Sequence, residues 1–501
     1  MTRLLLLLAL APVALVAEPA PMPRPAGPVT FADVVNAAAA DAKSLPPGES
    51  ALTRYLEAKH LSAEDRRELY KVVSYHVNGL SRESKRAAPR QVTPWLWAVR
   101  LDHYRWSPET WKKLAEKNVY YTVKAKVTVP GPVVTKQRQV LRSGYYVTES
   151  YTEAGPVVER EEVIVGPWLP PVPAAELVSL TGSRTPVVRA DQFLHLTFAQ
   201  VDRAGHGYYD WLGLKNRADA EHLAALDRAK AAALYRELAA IIPVSGVTPQ
   251  NRQVFRYATI TGAWWESRDA KTSVGGQNAH RNLLEQYKHD AEEVVFTLPN
   301  GLPGYYLSDA AGKQVDAAPD FIAADHRATN NDRRVHVGYS CAACHQDAGL
   351  KPVRDYARKV YGNPDKTGVS LAPTALDPAR ARRLESVYLG PLERAYARDV
   401  ADYAEAVADL TKLTGPDLSR AVERQWGRYL DDPVTLGRAA AECGVTPAEL
   451  QVALRRHVRS RGGAADLVLA AFLMDDGPPI RREHHEEAFA LLMLTLGGGA
   501  P

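Results

Sequence analysis

The sequence predicts a mainly α-helical protein with a small antiparallel β-sheet inserted in its N-terminal part, an α+β arrangement. Apolar residues recur every three or four positions over 69–80 and over 392–410, as on the buried face of a helix. Between 119 and 168 apolar and polar residues alternate instead, and prolines and glycines at 130–132 and 154–156 interrupt the pattern. This alternation predicts three or four short strands, so a single small sheet among helices is expected.

Finer signals place individual elements. Ser62 is expected to cap a helix, and a second helix is expected to begin near Ser107. Residues 220–242 are rich in alanine and leucine and predict one long helix that a proline ends. Residues 294–298 and 305–307 predict a hairpin around a Pro-Asn-Gly turn. The predicted segments are a signal peptide (1–17), a proline-rich tether (18–30), an N-terminal helical region with the sheet (31–173), a central domain (174–374) and a C-terminal helical domain (375–501).

The net charge and the N-terminal residues of the chain indicate its partners and its cellular location. The formal net charge is +4, with 62 basic and 58 acidic residues, which does not indicate a nucleic-acid partner or a membrane surface. Arg3 precedes an apolar run over 4–16 that is too short to cross a bilayer, and Ala17 suits a cleavage site. We therefore expect a cleaved signal peptide, a periplasmic or secreted protein, and no transmembrane segment in the mature chain.

One pentapeptide dominates the chemistry of the sequence. Cys341-Ala342-Ala343-Cys344-His345 has the spacing of a covalent c-type haem attachment site. Each thiol can form a thioether with one haem vinyl group, and the adjacent histidine then becomes the proximal iron ligand. Cys341 and Cys344 are thus the predicted attachment residues, His345 is the predicted metal ligand, and one haem c is the predicted cofactor. Export agrees with this prediction, because haem c is attached outside the bacterial cytoplasm.

Other readings of the pentapeptide are weaker. A disulfide or a thioredoxin-like pair would not need the histidine, and a zinc site would need two more ligands. The chain has only one further cysteine, Cys443, which is expected to be a buried, inert thiol.

A distal iron ligand is harder to identify. Met474 and Met493 lie in apolar stretches typical of a core, so histidine is the better candidate. His289, just before the predicted hairpin, is the first choice, against the alternative of an ordinary polar surface histidine. The weaker candidates are His195, His326 and His336. Basic residues near the pentapeptide are candidate contacts for the haem propionates; these are Arg333, Arg334, Lys351 and Arg354.

Several strings resemble a family of exported, single-haem, cytochrome-c-like proteins of planctomycetes and other Gram-negative bacteria. The matching strings are 96–106 (LWAVRLDHYRW), 189–193 (RADQF), 245–247 with 251–252, 289–290, 296–302 (FTLPNGL) with 304–305, and 338–345 (GYSCAACH). The similarity runs from about residue 50 to the C-terminus. It implies export and haem at Cys341, Cys344 and His345, but no settled reaction. Tyr209 and Tyr257 depart from the pattern, because relatives often carry histidine there, whereas His289 is kept.

Three functions are compatible with these signals. The first is electron transfer by an exported monohaem cytochrome to an unknown redox partner protein. The second is a haem enzyme, or a redox or gas sensor, with an open sixth coordination position. The third is a binding module in which haem is structural and the helical C-terminal domain is the partner surface.

Overall fold

The computed structural model describes residues 28–116, 122–165, 171–198, 207–234, 236–245, 248–319, 324, 334–371, 376–460 and 467–496. The predicted signal peptide, the tether up to residue 27, Arg333 and His326 lie outside these residues. In the part of the chain that is described, no helix is both long enough and apolar enough to cross a membrane.

Eleven described strands form three sheets, so the prediction of a mainly α-helical protein with one small sheet is wrong. A four-stranded sheet has the order β2-β3-β1-β6, a five-stranded sheet has the order β11-β10-β9-β8-β7, and β4 and β5 form a separate ribbon. The strands are β1 Thr53–Glu57, β2 Arg90–Thr93, β3 Leu96–Arg100, β4 Thr122–Arg142, β5 Tyr145–Val165, β6 Val187–Arg189, β7 Glu237–Ile242, β8 Arg252–Ala258, β9 Ala263–Asp269, β10 Ala291–Thr297 and β11 Pro303–Asp309.

Helices precede and follow the five-stranded sheet along the described chain. Those before the five-stranded sheet are Phe31–Ser44, Pro47–Ala51, Ala63–Gly79, Pro108–Glu116, Pro171–Thr181, Ala190–Phe198, Tyr208–Leu212, Arg217–Leu223 and Arg228–Ala233. Those after it are Tyr339–His345, Tyr356–Tyr361, Pro364–Thr367, Pro378–Tyr388, Leu392–Thr411, Gly415–Leu430, Leu436–Cys443, Pro447–Ser460, Leu467–Ala470 and Arg482–Leu496.

Two of the missed strands, β1 and β7, are buried on both faces. All five residues of β1 are buried, and so are five of the six residues of β7. A strand covered on both sides needs no polar residue at alternate positions, so its sequence lacks the period-two signal. The predicted long helix over 220–242 is therefore wrong: two short helices are followed by β7, whose Ala- and Leu-rich sequence pairs with β8.

The predicted sheet over 119–168 is a single two-stranded ribbon. Each strand is 21 residues long, and the residues around Gly131 form a register shift within the ladder instead of ending a strand. The turn uses Ser143 and Gly144, both with positive φ (50° and 84°), as a tight two-residue hairpin requires. The prolines and glycines at 130–132 and 154–156, which suggested turns between strands, thus lie at bulges in one continuous ribbon.

Several sequence signals are confirmed. Ser62 caps Ala63–Gly79, a helix begins at Pro108, and the hairpin over 294–307 forms β10 and β11. The apolar stripe over 392–410 lies on the helix Leu392–Thr411. The main hydrophobic core contains residues from all three predicted segments after the tether, including Leu69, Trp264 and Val407.

A buried carboxylate connects the C-terminal helices to the N-terminal half. Glu442, fully buried, accepts hydrogen bonds from Arg482 at 2.8 and 2.9 Å and from Arg438 at 3.2 Å, and it contacts Arg189 and, at 2.8 Å, His485. Burial alone would raise the pKa of Glu442, but the charges of Arg189 and Arg482 outweigh burial and hold that pKa well below its ordinary value. The carboxylate is therefore ionised and supplies the negative charge that balances the buried guanidinium groups around it.

We expect Glu442→Gln to lower the free energy of unfolding by about 3–5 kcal/mol, because it leaves buried guanidinium groups without their counter-charge. Urea unfolding followed by circular dichroism measures the change. Glu487→Gln, at an exposed position in the same helix as Arg482, is the control and should stay within about 0.5 kcal/mol of the wild type. Equal, small effects of both substitutions would contradict the assigned role of Glu442.

The buried side chain of His76 leads to a second prediction, which concerns the pH dependence of stability. Its imidazole is buried and contacts the Thr197 hydroxyl, and burial lowers the pKa of His76 well below its ordinary value. The unfolded chain therefore takes up the proton first, and this one group contributes a loss of stability of at most about 1.4 kcal/mol per pH unit as the pH drops below about 6.5. Melting curves at successive pH values should therefore fall less steeply with decreasing pH for His76→Asn than for the wild type. His103→Asn, at an exposed position, is the control, and an equal change of slope in both variants would contradict the assignment to His76.

Candidate functional site

The pentapeptide lies on a short helix, Tyr339–His345, which we call the motif helix. Cys341 and Cys344 are three residues apart on this helix, and His345 is one turn after Cys341. Gly338 starts the helix with φ +78°, and a Cβ there would lie 3.0 Å from the Tyr208 ring. Only glycine suits both this backbone angle and this close approach.

The motif helix is held at its C-terminal end as well. The Tyr403 hydroxyl donates to the Gln346 carbonyl at 2.6 Å and lies 3.3 Å from the Tyr75 hydroxyl. Gly349 has φ +74°, and a Cβ at this position would lie 2.8 Å from Cγ of Tyr403. The helix is therefore clamped between Tyr208 on one side and Tyr403 on the other.

A cavity of about 780 Å³ separates the motif helix from one face of the five-stranded sheet. This volume falls in the range of cofactor pockets, about 300–1,000 Å³. The lining residues are Ile242, Val244, Ser245, Arg252, Val254, Trp265, Ser267, Glu293, Val295, Cys344, His345, Leu350, Lys351, Pro352, Val353 and Arg354. Side chains alternate along a strand, so Val254, Ser267 and Glu293, which are paired across β8, β9 and β10, share the face that we call the cavity face.

The lining combines apolar walls with a few charges. Trp265, Val254, Val295 and Leu350 give flat apolar surface, and Arg252, Lys351 and Arg354 supply the cations. Such a lining suits a flat, largely apolar group that carries carboxylates, as haem does. The structure thus brings Cys344 and His345 together with Lys351 and Arg354, two of the four predicted propionate contacts. Arg334 is exposed and outside this lining, and Arg333 lies outside the described residues.

Cys341 is placed on the protein side of the motif helix. It is 1 % exposed and belongs to the main core, where Tyr208 and Tyr305 are its neighbours. Burial raises the pKa of both tyrosines well above the ordinary value, and nearby ionisable groups, including Cys341, add to the effect. Cys344 therefore faces the cavity, whereas Cys341 lies one turn deeper.

His289, the predicted distal ligand, is not brought to the cavity. Its Nε2 lies 3.0 Å from Oε1 of Glu292, whose strand position points to the opposite face of the sheet. His195 packs against the ring of Tyr429, 5.3 Å away between centroids, and His336 precedes the motif helix outside the lining. Among the described lining residues His345 is the single histidine, and none is a methionine.

A carboxylate on the cavity face was missed by the sequence analysis. Oε1 of Glu293 lies 4.0 Å from Nε2 of His345, and its Oε2 lies 3.7 Å from Arg252, which also pairs with Asp269 at 2.6 Å. Burial, together with the charge of Glu293, raises the pKa of Asp269 to about 6, although Arg252 opposes the rise. Alternation along the predicted strand at 294–298 could have marked residue 293 as facing the same side as Val295.

Comparisons with known proteins give no relative: no family model, no curated protein and no solved structure matches the chain. Within the described ranges, no group of three or more His, Cys, Asp or Glu side chains is arranged to hold a metal ion by itself.

We expect Gly349→Ala to lower the free energy of unfolding by about 3 kcal/mol, at the upper end of the range for strained sites, because the methyl group meets the Tyr403 ring. Gly368→Ala is the matched control: it has φ +65° but no atom within 4 Å of the added Cβ, so about 1 kcal/mol is expected. Thermal unfolding of both variants measures the difference. Equal losses would show that Tyr403 does not clamp the motif helix.

Proposed function

We propose that the protein is an exported redox protein with one haem c, attached through Cys341 and Cys344 and bound at the iron by His345. The observation that carries the proposal is the position of Cys344 and His345 in an apolar cavity of about 780 Å³ whose charges are mostly cationic. The pentapeptide and the signal-peptide pattern of residues 1–17 support it independently.

The residues of the cavity have distinct roles in this proposal. The two cysteine sulfurs form the thioethers, and the motif helix fixes them relative to the imidazole of His345. Trp265, Val254 and Val295 exclude water from one side of the cofactor. Lys351 and Arg354 counter the charge of its carboxylates. When bound, the haem supplies an iron that changes between Fe(III) and Fe(II), with a potential set by ligands and burial.

Electron transfer with a partner protein is the role proposed from the sequence. One observation favours a second role, in which a small molecule binds at the sixth position of the iron. No second histidine and no methionine is present among the described lining residues, whereas electron-transfer cytochromes commonly use one of them. A ferrous spectrum that changes on addition of carbon monoxide would favour the second role over the first.

Covalent attachment is tested by expressing the full chain in a host that matures c-type cytochromes. The wild type should keep its colour after acid–acetone extraction and gain the mass of one haem. Cys341→Ser and Cys344→Ser should each leave a single thioether, seen as a red-shifted pyridine haemochrome band, and the double variant should lose covalent haem.

Cys443→Ser is the matched control for these variants. Cys443 is buried at the end of another helix, and burial raises its pKa to about 12, so it is an inert thiol that should not affect haem attachment. Complete extraction of the colour from the wild type would refute the proposal.

A further inference from the structure

We propose that Glu293 faces the iron from the side opposite His345 and binds it through a carboxylate oxygen when the iron is oxidised. This inference rests on the proposed function, because it assigns the sixth-position group of that same haem. It also replaces His289, whose imidazole contacts Glu292 instead of the cavity.

The separation of the two donor atoms is the first argument. Nε2 of His345 and Oε1 of Glu293, which both line the cavity, are 4.0 Å apart. First-row metal ions bind imidazole nitrogen and carboxylate oxygen at about 2.0–2.2 Å each, as zinc does. Two donors on opposite sides of one metal ion are therefore about 4 Å apart, which is the separation that the structure shows.

The second argument is that the two carboxylate oxygens of Glu293 have different neighbours. Oε2 of Glu293 is the oxygen near Arg252, at 3.7 Å, whereas Oε1 is the oxygen near His345. Arg252 is itself nearly buried and is held by Asp269 at 2.6 Å. The arginine thus positions the carboxylate and leaves one oxygen directed toward the imidazole.

Elimination within the cavity is the third argument. Glu293 is the single carboxylate among the described lining residues. The guanidinium groups of Arg252 and Arg354 have no lone pair to give, and Lys351 is paired with Asp347 at 2.9 Å. The hydroxyls of Ser245 and Ser267 are neutral and weaker donors. Glu293 is therefore the best anionic donor that this lining offers.

A carboxylate ligand has consequences that differ from those of histidine. Its negative charge stabilises Fe(III) more than Fe(II), so it lowers the reduction potential and is held less strongly after reduction. We therefore expect a high-spin ferric state in the wild type and a ferrous state that binds carbon monoxide.

The decisive experiment is a gain of function measured on the purified full-length holoprotein. Glu293→His should convert the ferric spectrum and the electron paramagnetic resonance signal from high-spin to low-spin, because a second imidazole would then face the iron. Asp347→His is the matched control: it also replaces an acid with histidine, two residues from His345, but Asp347 is not among the described lining residues and its carboxylate pairs with Lys351. The control should keep the wild-type spectrum.

Glu293→Gln provides the second measurement and covers the case in which the histidine variant fails to fold. Its midpoint potential should rise above that of the wild type, because the anionic ligand is lost. A Glu293→His spectrum identical to the wild type, or an unchanged potential in Glu293→Gln, would overturn the inference while covalent haem remained. Absence of covalent haem from the wild type would instead overturn the proposed function, so the two failures are distinguishable.

Discussion

The structure depends on the fixed distance between the motif helix and the sheet that faces it. The motif helix carries Cys344 and His345 into the cavity and Cys341 into the core, and its backbone sets their positions relative to one another. Gly338 and Gly349, at its two ends, allow the rings of Tyr208 and Tyr403 to pack directly against the chain. Since the helix cannot shift without displacing these rings, the chemistry available to His345 is decided by the facing wall.

That wall is kept in place by charges on its other side. Glu292 and Glu293 are neighbours on β10, and strand alternation sends one to each face of the sheet. On the back face, Glu266 pairs with Arg228 at 2.6 Å and with Arg268 at 2.9 Å. Burial would raise the pKa of Glu266, but the surrounding arginines lower it to about 2, so it is ionised. The back face is thus a rigid ionic layer that supports the cavity face.

The pentapeptide can be read directly from the sequence, but its surroundings cannot. The proposed roles of Cys341, Cys344 and His345 rest on a local pattern of residues within little more than one helical turn. Capped helices and the β10–β11 hairpin are also local signals, and they are confirmed. Strands β1 and β7 escaped prediction because both of their faces are buried, which removes the alternation on which strand prediction depends.

The cavity could not be predicted for a related reason. Its walls come from β8, β9 and β10, and which side chains share a face depends on strand pairing between distant residues. His289 was favoured because it lies just before the hairpin that leads to the pentapeptide, yet its imidazole contacts Glu292, whereas the next residue on the strand, Glu293, lies toward His345. Position next to a hairpin in the sequence is thus a poor guide to which side chains enter a cavity built on a sheet.

The helix Leu392–Thr411, from the predicted C-terminal domain, belongs to this site. Asp399, on the helix Leu392–Thr411, accepts hydrogen bonds from Nε1 of Trp265 at 2.9 Å and from Arg256 at 2.8 Å. Trp265 is a wall of the cavity, and Tyr403, one turn after Asp399, holds the end of the motif helix. One helix therefore positions both sides of the cavity.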